Sequence, residues 1–151
     1  MPEREWWMRQ TRVYLPLSRA GLRRLAEDSS LDGSALTAFA VTQHLERAHP
    51  GRDEEDLEFL ALGDATHAAL VLREPGDPVL VAAADAAPES VKAHASTGGP
   101  VSEVRITEPV PLRRIVSFHV EADGAQSEFG GDPELLWYDA TELEEIARMF
   151  T

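Results

Sequence analysis

Residues 105–120 read RITEPVPLRRIVSFHV, and their pattern sets the architecture expected of the chain. On both sides of the Pro-Val-Pro at 109–111, apolar residues alternate with polar ones, as they do in β-strands that have one buried face. A proline has no backbone N–H to donate to a neighbouring strand, and it restricts the residue before it to extended conformations. The stretch therefore predicts two sheet strands joined by a rigid bend.

For the second of these strands, the pattern must decide which side chains face the core. Strict alternation predicts a core-facing set that consists of Arg114, Val116, Phe118 and Val120. The opposite face then carries Arg113, Ile115 and His119. Ile115 and Phe118 can both be buried only if the strand is covered on both sides or contains a β-bulge.

Outside this stretch, short strands alternate with helices. TRVYLPLS predicts a first strand, which Pro16 either ends or marks as an edge strand, and Ser18 is a suitable cap for the helix that follows. Asp53 caps the longest predicted helix, which runs to about Leu72 and has acidic residues in its first turn. The apolar run PVLVAAAD at 78–85 is typical of a buried strand.

The order of these elements indicates the fold class. A chain of 151 residues can bury a substantial core, and it shows no internal repeat. We expect a single α+β domain over residues 9–151, with a mixed, largely antiparallel sheet, a long covering helix and a C-terminal helix. Thr141 and Glu144 predict a capping box before that last helix. Residues 1–8 show no apolar periodicity and are predicted to form a disordered extension.

Composition excludes several classes of protein. Without cysteine, the chain cannot form a disulfide scaffold, a thiolate zinc site or a cysteine nucleophile. No apolar run approaches the roughly 18 residues that a membrane span requires, and the N-terminus lacks the apolar core of a signal peptide. We therefore expect a cytoplasmic protein that makes no membrane contact.

The net charge of −13 bears on the choice of partner. Residues 101–151 carry four basic and eleven acidic side chains. An acidic surface repels nucleic acid and attracts basic proteins, although many proteins are acidic only for solubility. The expected partner is another protein, and nucleic acid is disfavoured.

Sequence motifs give no catalytic assignment. The chain has no glycine-rich phosphate loop, no HExxH and no GxSxG, and its five histidines lack metal-ligand spacing. We therefore predict no catalytic residues, no metal and no cofactor.

Two groups of side chains are candidates for binding. The ligand-binding candidates are Arg12, Tyr14, Arg105, Arg113 and His119. If their strands are neighbours, the arginines would cluster and could hold a phosphate or carboxylate; alternatively, they pair with local acids such as Glu103, Glu108 and Glu121. The protein-binding candidates are Trp137 and Tyr138, because adjacent residues of a strand face opposite ways and only one of them can point to the core.

Several segments together resemble an uncharacterised actinobacterial family over nearly the whole chain from Arg12, and that family has no established activity. These segments are RVYLP, AFAVT, VLVAAAD, EPVPLRRIVSFHV and ELLWYDATEL. More faintly, the opening strand–helix pair and the later strands are similar to ADP-ribosyltransferase-like domains. That resemblance implies an NAD site in which Arg12 is the basic residue of the first strand and Glu121 or Glu134 is the late acid. The favoured hypothesis is a non-catalytic interaction or regulatory protein, and the alternative is an ADP-ribosyltransferase-like or other nucleotide-binding enzyme.

Overall fold

The structure is a computed structural model, and it describes residues 10–32, 36–93, 99–122 and 134–150. The predicted extension at 1–8 lies outside these residues. The strands are β1 (Thr11–Leu17), β2 (Ser30–Leu31), β3 (Leu36–Ala40), β4 (Leu80–Ala86), β5 (Val91–Ala93), β6 (Glu103–Ile106), β7 (Val110–Pro111), β8 (Ile115–Glu121) and β9 (Leu135–Asp139). The helices are α1 (Arg19–Asp28), α2 (Gln43–Ala48), α3 (Glu54–Leu72) and α4 (Leu143–Arg148).

Seven of the strands form the main sheet, in the order β5-β6-β3-β1-β4-β8-β9. Every neighbouring pair is antiparallel. The first strand of the chain lies in the middle, between β3 and β4, and β9 forms one edge. This architecture confirms the predicted α+β class with a largely antiparallel sheet. Sequence patterning did not predict β5 or the separate two-stranded ladder of β2 and β7.

Helices cover both faces of the sheet. Leu22 and Leu25 of α1 and Ile146 of α4 pack on one face, with Phe118 at 0% exposure among them. The long helix α3 covers the other face, called here the α3 face, as the sequence predicted. Alanines face each other across this contact, since Ala61 on α3 and Ala83 on β4 are both buried. Small side chains on both sides let the helix lie close to the sheet.

The predicted sidedness of β8 is wrong at its start. Ala84 lies opposite Ile115 and Ala83 lies opposite Ser117, so Val116 is an extra residue between them. This β-bulge turns Ile115 to the same face as Phe118 and leaves Val116 38% exposed. A bulge was one of the two conditions under which both Ile115 and Phe118 could be buried.

The two arginines before β8 also differ from the prediction. Arg113 and Arg114 belong to a 3₁₀ turn, Leu112–Arg114, and not to the strand, so Arg114 does not join the core-facing set.

The capping box before the last helix lies two residues earlier than predicted. Asp139 accepts a hydrogen bond from the backbone N–H of Thr141 over 2.9 Å, and Glu142 accepts one from the backbone N–H of Asp139 over 2.7 Å.

Candidate functional site

Polar side chains gather on the α3 face where β1, β4 and β8 run side by side. This polar cluster consists of Arg12, Tyr14, Glu58, Asp85, Ser117 and His119. The alternation of each strand explains the convergence, because Arg12 lies opposite Asp85 and Tyr14 opposite Ala83, which in turn lies opposite Ser117. The structure therefore brings together three of the five predicted ligand residues, namely Arg12, Tyr14 and His119.

An ion pair holds the charged part of the polar cluster. Arg12 Nε donates a hydrogen bond to Asp85 Oδ1 over 2.8 Å, and both side chains are about one-third exposed (37% and 35%). The hydrogen bond with Asp85 raises the pKa of Arg12 above its ordinary value. The Arg12 guanidinium is thus already balanced by a carboxylate inside the sheet, which weakens its attraction for a ligand anion.

The pKa values of two further groups in the cluster, Tyr14 and His119, are shifted in the directions that favour their neutral forms. Burial, reinforced by the negative charge of Glu58, raises the pKa of Tyr14 to about 12. Burial lowers the pKa of His119 below 6.5, and the positive charge of Arg12 lowers it further. Ser117 Oγ lies 3.2 Å from His119 Nε2, within hydrogen-bond distance. The cluster therefore contains one ion pair, Arg12–Asp85, and a separate pair within hydrogen-bond distance, Ser117–His119.

Sequence reasoning missed Glu58 and Asp85. Burial and the nearby Glu54 carboxylate raise the pKa of Glu58, which faces the sheet from the first half of α3. The sequence explained this glutamate as part of an acidic helix start, so it carried no separate signal. Asp85 did carry one, since an acid that ends the apolar run VLVAAAD needs a partner beside it.

The two glutamates that the enzyme resemblance offers lie far from Arg12. Glu121 accepts a hydrogen bond from Val79 N–H over 3.1 Å, and Val79 is six positions from Asp85 along the chain. At about 3.3 Å per residue, this places Glu121 roughly 20 Å from the end of β1 that carries Arg12. Glu134 is at the same distant end, since its carbonyl accepts from Ala122 N–H over 3.0 Å.

Arg105 does not join the other arginines in the cluster that neighbouring strands would have formed. Arg105 lies on β6, which β3 separates from β1, and it is exposed opposite Thr37 and Lys92. The late strands that carry the arginines are not neighbours of one another, so the proximity on which the prediction depended is absent. Arg113 lies instead at the bend before β8.

A pocket of about 190 Å³ lies at this bend, where the two prolines of the opening stretch form part of its wall. This corner pocket is lined by charged residues of both signs, and these are Asp85, Glu108, Arg113 and Arg114.

A second pocket of about 470 Å³ has mostly apolar walls that include Val41, Val91 and Val104. Its polar lining includes Thr42, whose hydroxyl donates to the Val101 carbonyl over 2.7 Å.

The edge strand β9 exposes one large aromatic side chain. Trp137 is 62% exposed, whereas the adjacent Tyr138 packs against the core on the other face. The bond from Ala122 N–H to the Glu134 carbonyl fixes the ladder, so Leu136 and Tyr138 bond to β8 while Leu135 and Trp137 direct their N–H and C=O groups outward. No strand of the described residues pairs with this outer edge.

A family profile matches residues 11–147, and it describes a family of unknown function, DUF6912. The chain belongs to this family. Crystal structures of protein CC0527 from Caulobacter crescentus and of its double mutant are similar to this DUF6912 chain at 16% identity and a TM-score of 0.43. Each match covers 91% of this chain and 99% of the other. A search of the curated proteins finds no match.

Two kinds of feature are absent from the described part of this DUF6912 chain. None of its helices combines the length and the apolar character that crossing a membrane requires. Its histidine, aspartate and glutamate side chains form no group of three that could hold a metal ion.

Proposed function

We propose that this protein is a non-catalytic interaction module that binds a partner protein along the outer edge of β9. The exposed Trp137 at the centre of this edge strand carries the proposal. An edge with outward N–H and C=O groups can accept a further strand, and pockets or exposed side chains beside it add specificity. A tryptophan in this position has the size and the amphipathic character of a binding hot spot.

The acidic side chains at the ends of β9 favour a basic partner. Glu134 and Asp139 are exposed at the two ends of β9, and Glu142 is bonded to the Asp139 backbone. Opposite charges on paired strands are stabilising and like charges are destabilising. The partner that suits this edge is therefore an extended segment in which apolar residues alternate with lysine or arginine.

A second copy of the chain suits the edge less well. Each copy carries a net charge of −13, so two copies repel each other at long range. Antiparallel pairing of β9 with itself around Trp137 would also bring the acidic ends of both strands into one short ladder. A basic heterologous segment avoids both costs.

The nucleotide-binding alternative has less support in the geometry. Arg12 is neutralised by Asp85 at 2.8 Å, and the candidate late acids Glu121 and Glu134 lie at the far end of the sheet. An NAD-binding enzyme of the type that the resemblance implies needs its basic and acidic residues around one ligand. Titration of the protein with NAD checks this alternative directly.

Amide hydrogen exchange tests whether the edge is open. In the free protein, the amides of Leu135 and Trp137 should exchange fast, while those of Leu136 and Tyr138 should be protected by β8. Equal protection of all four amides would mean that the outer edge is already covered, and the proposal would fail.

A peptide titration then tests the partner. A short peptide of alternating valine and lysine should protect Leu135 and Trp137, and Trp137→Ala should weaken its binding. Phe59→Ala is the matched control, because Phe59 is a 74% exposed aromatic side chain on α3, a helix that packs on β1, β3 and β4. Equal binding of an alternating valine–glutamate peptide would contradict the charge argument. Protection that depends on protein concentration, with a dimer in sedimentation, would identify a second copy as the occupant.

A further inference from the structure

We propose that the corner pocket binds a small oxyanion, a carboxylate or phosphate group, through Arg113 and Arg114. This site is separate from the β9 edge and does not depend on it. The two arginines are consecutive in the 3₁₀ turn Leu112–Arg114 and both line the pocket. Guanidinium groups bind such anions through paired, charge-assisted hydrogen bonds.

Arg113 is available for a ligand. It is exposed, and no carboxylate within residues 10–32, 36–93, 99–122 and 134–150 forms an ion pair with it. Arg114 is held in position instead, because its Nη1 donates to Gln10 Oε1 over 3.0 Å and to the Asp85 carbonyl over 3.4 Å. Within the described part of the chain, one arginine is thus fixed and the other has no ion-pair partner.

The charges around the pocket leave a local positive excess. Of the two lining acids, Asp85 is neutralised by Arg12 from the α3 face. The other charged residues that line the pocket are Arg113, Arg114 and Glu108, which together carry one positive charge in excess. This local charge is opposite in sign to the net charge of −13 of the whole chain. A singly charged oxyanion would neutralise it.

The backbone around the pocket is well anchored. Pro109 and Pro111 fix two φ angles beside the turn, and the Leu112 N–H donates to the Ser29 carbonyl over 2.8 Å. The short ladder of β2 and β7 ends at the same place. A site held in this way loses little conformational entropy when a ligand binds.

The size of the pocket limits the ligand. A volume of about 190 Å³ is less than the 300–1,000 Å³ typical of pockets for larger ligands, and corresponds to about six water molecules. The ligand is therefore a small organic acid or a phosphate group, and a whole dinucleotide does not fit inside. The glutamate on the wall further disfavours anions of high charge.

Titration with inorganic phosphate and with propionate, at constant ionic strength, tests the site and separates the two sources of oxyanion. At least one of them should give saturable amide shifts at Val110 and Leu112 and raise the thermal midpoint. Arg113→Ala should weaken binding about tenfold or more, since a charge-assisted contact is lost. Arg105→Ala is the matched control, because this arginine is exposed on β6 outside the pocket, and it should leave the affinity unchanged.

A variant that should strengthen anion binding completes the test. Glu108→Gln removes the repelling carboxylate and should tighten binding severalfold. Arg113→Lys keeps the positive charge but loses the paired N–H donors of the guanidinium, so it should bind with intermediate affinity. The proposal is overturned if neither anion gives saturable shifts. It is equally overturned if Arg113→Ala binds as tightly as the unaltered protein, or if Arg105→Ala loses as much affinity as Arg113→Ala.

Discussion

Truncation of Ile115 and of Val116 to alanine should have very different costs, although the two residues are neighbours in one strand. The bulge in β8 turns Ile115 into the core at 5% exposure and leaves Val116 38% exposed. Simple alternation from Phe118 predicts the reverse. The pair of substitutions therefore tests the bulge itself.

The expected cost follows from the buried carbon atoms. Ile115→Ala removes three carbons at about 0.8 kcal/mol each, and a residual cavity adds about 1 kcal/mol, which gives about 3–4 kcal/mol in total. Val116→Ala removes two partly exposed carbons and leaves no closed cavity, so about 1 kcal/mol is expected. Val120→Ala is the control, because Val120 is 1% exposed and the chemical change is the same as at Val116.

Urea unfolding followed by far-ultraviolet circular dichroism measures these costs. The slope of the unfolding free energy against urea should stay constant, so that shifts of the midpoint report stability alone. We expect Ile115→Ala to be the most destabilising change, Val120→Ala the next and Val116→Ala the least. If Val116→Ala costs as much as Val120→Ala, Val116 faces the core and the bulge is refuted.

Three further predictions concern α3, the last helix and His119. Gly63→Ala should stabilise the protein by about 0.5–1 kcal/mol, measured by urea unfolding, because Gly63 lies within α3 and an added Cβ meets nothing within 4 Å. Asp139→Ala should lower the thermal midpoint more than Thr141→Ala, because Asp139 is the cap of the turn that precedes α4; equal effects would count against this assignment. The pKa of His119 is lowered in the folded state, so the unfolded chain binds more protons and stability should fall as the pH drops below 6.5. His119→Gln should make this decline shallower, and an unchanged pH profile would show that His119 does not titrate in this way.

Local signals in the sequence were sufficient for most elements. Ser18 and Asp53 cap α1 and α3 as predicted, since a capping side chain bonds only to backbone a few residues away. The alternation in β1 likewise depends on one strand alone. The bulge at Val116 could not be predicted in this way, because it is defined by which residues of β4 lie opposite. The strands β2, β5 and β7 are two or three residues long, too short for a period to be visible.

The candidate site depended even more on contacts that are distant in sequence. Arg12 and Tyr14 were recognised because they share one face of one strand, and the structure retains that relation. Their partner Asp85 is 73 positions away from Arg12, and only the sheet order brings the two together. The same sheet order separates Arg105 from them, which the sequence could not reveal.

The central position of β1 also affects how the protein is made. β1 ends at Leu17, but one of its two partners, β4, ends at Ala86, roughly 70 residues later. At about 5–20 residues per second, the ribosome needs between about 3 and 14 s to synthesise that interval. During this time one side of β1 has no native partner, and sheets assembled from such distant contacts fold slowly. We therefore expect nascent chains of this protein to depend on chaperones until β4 has emerged, and stalled chains that end before it to aggregate through β1.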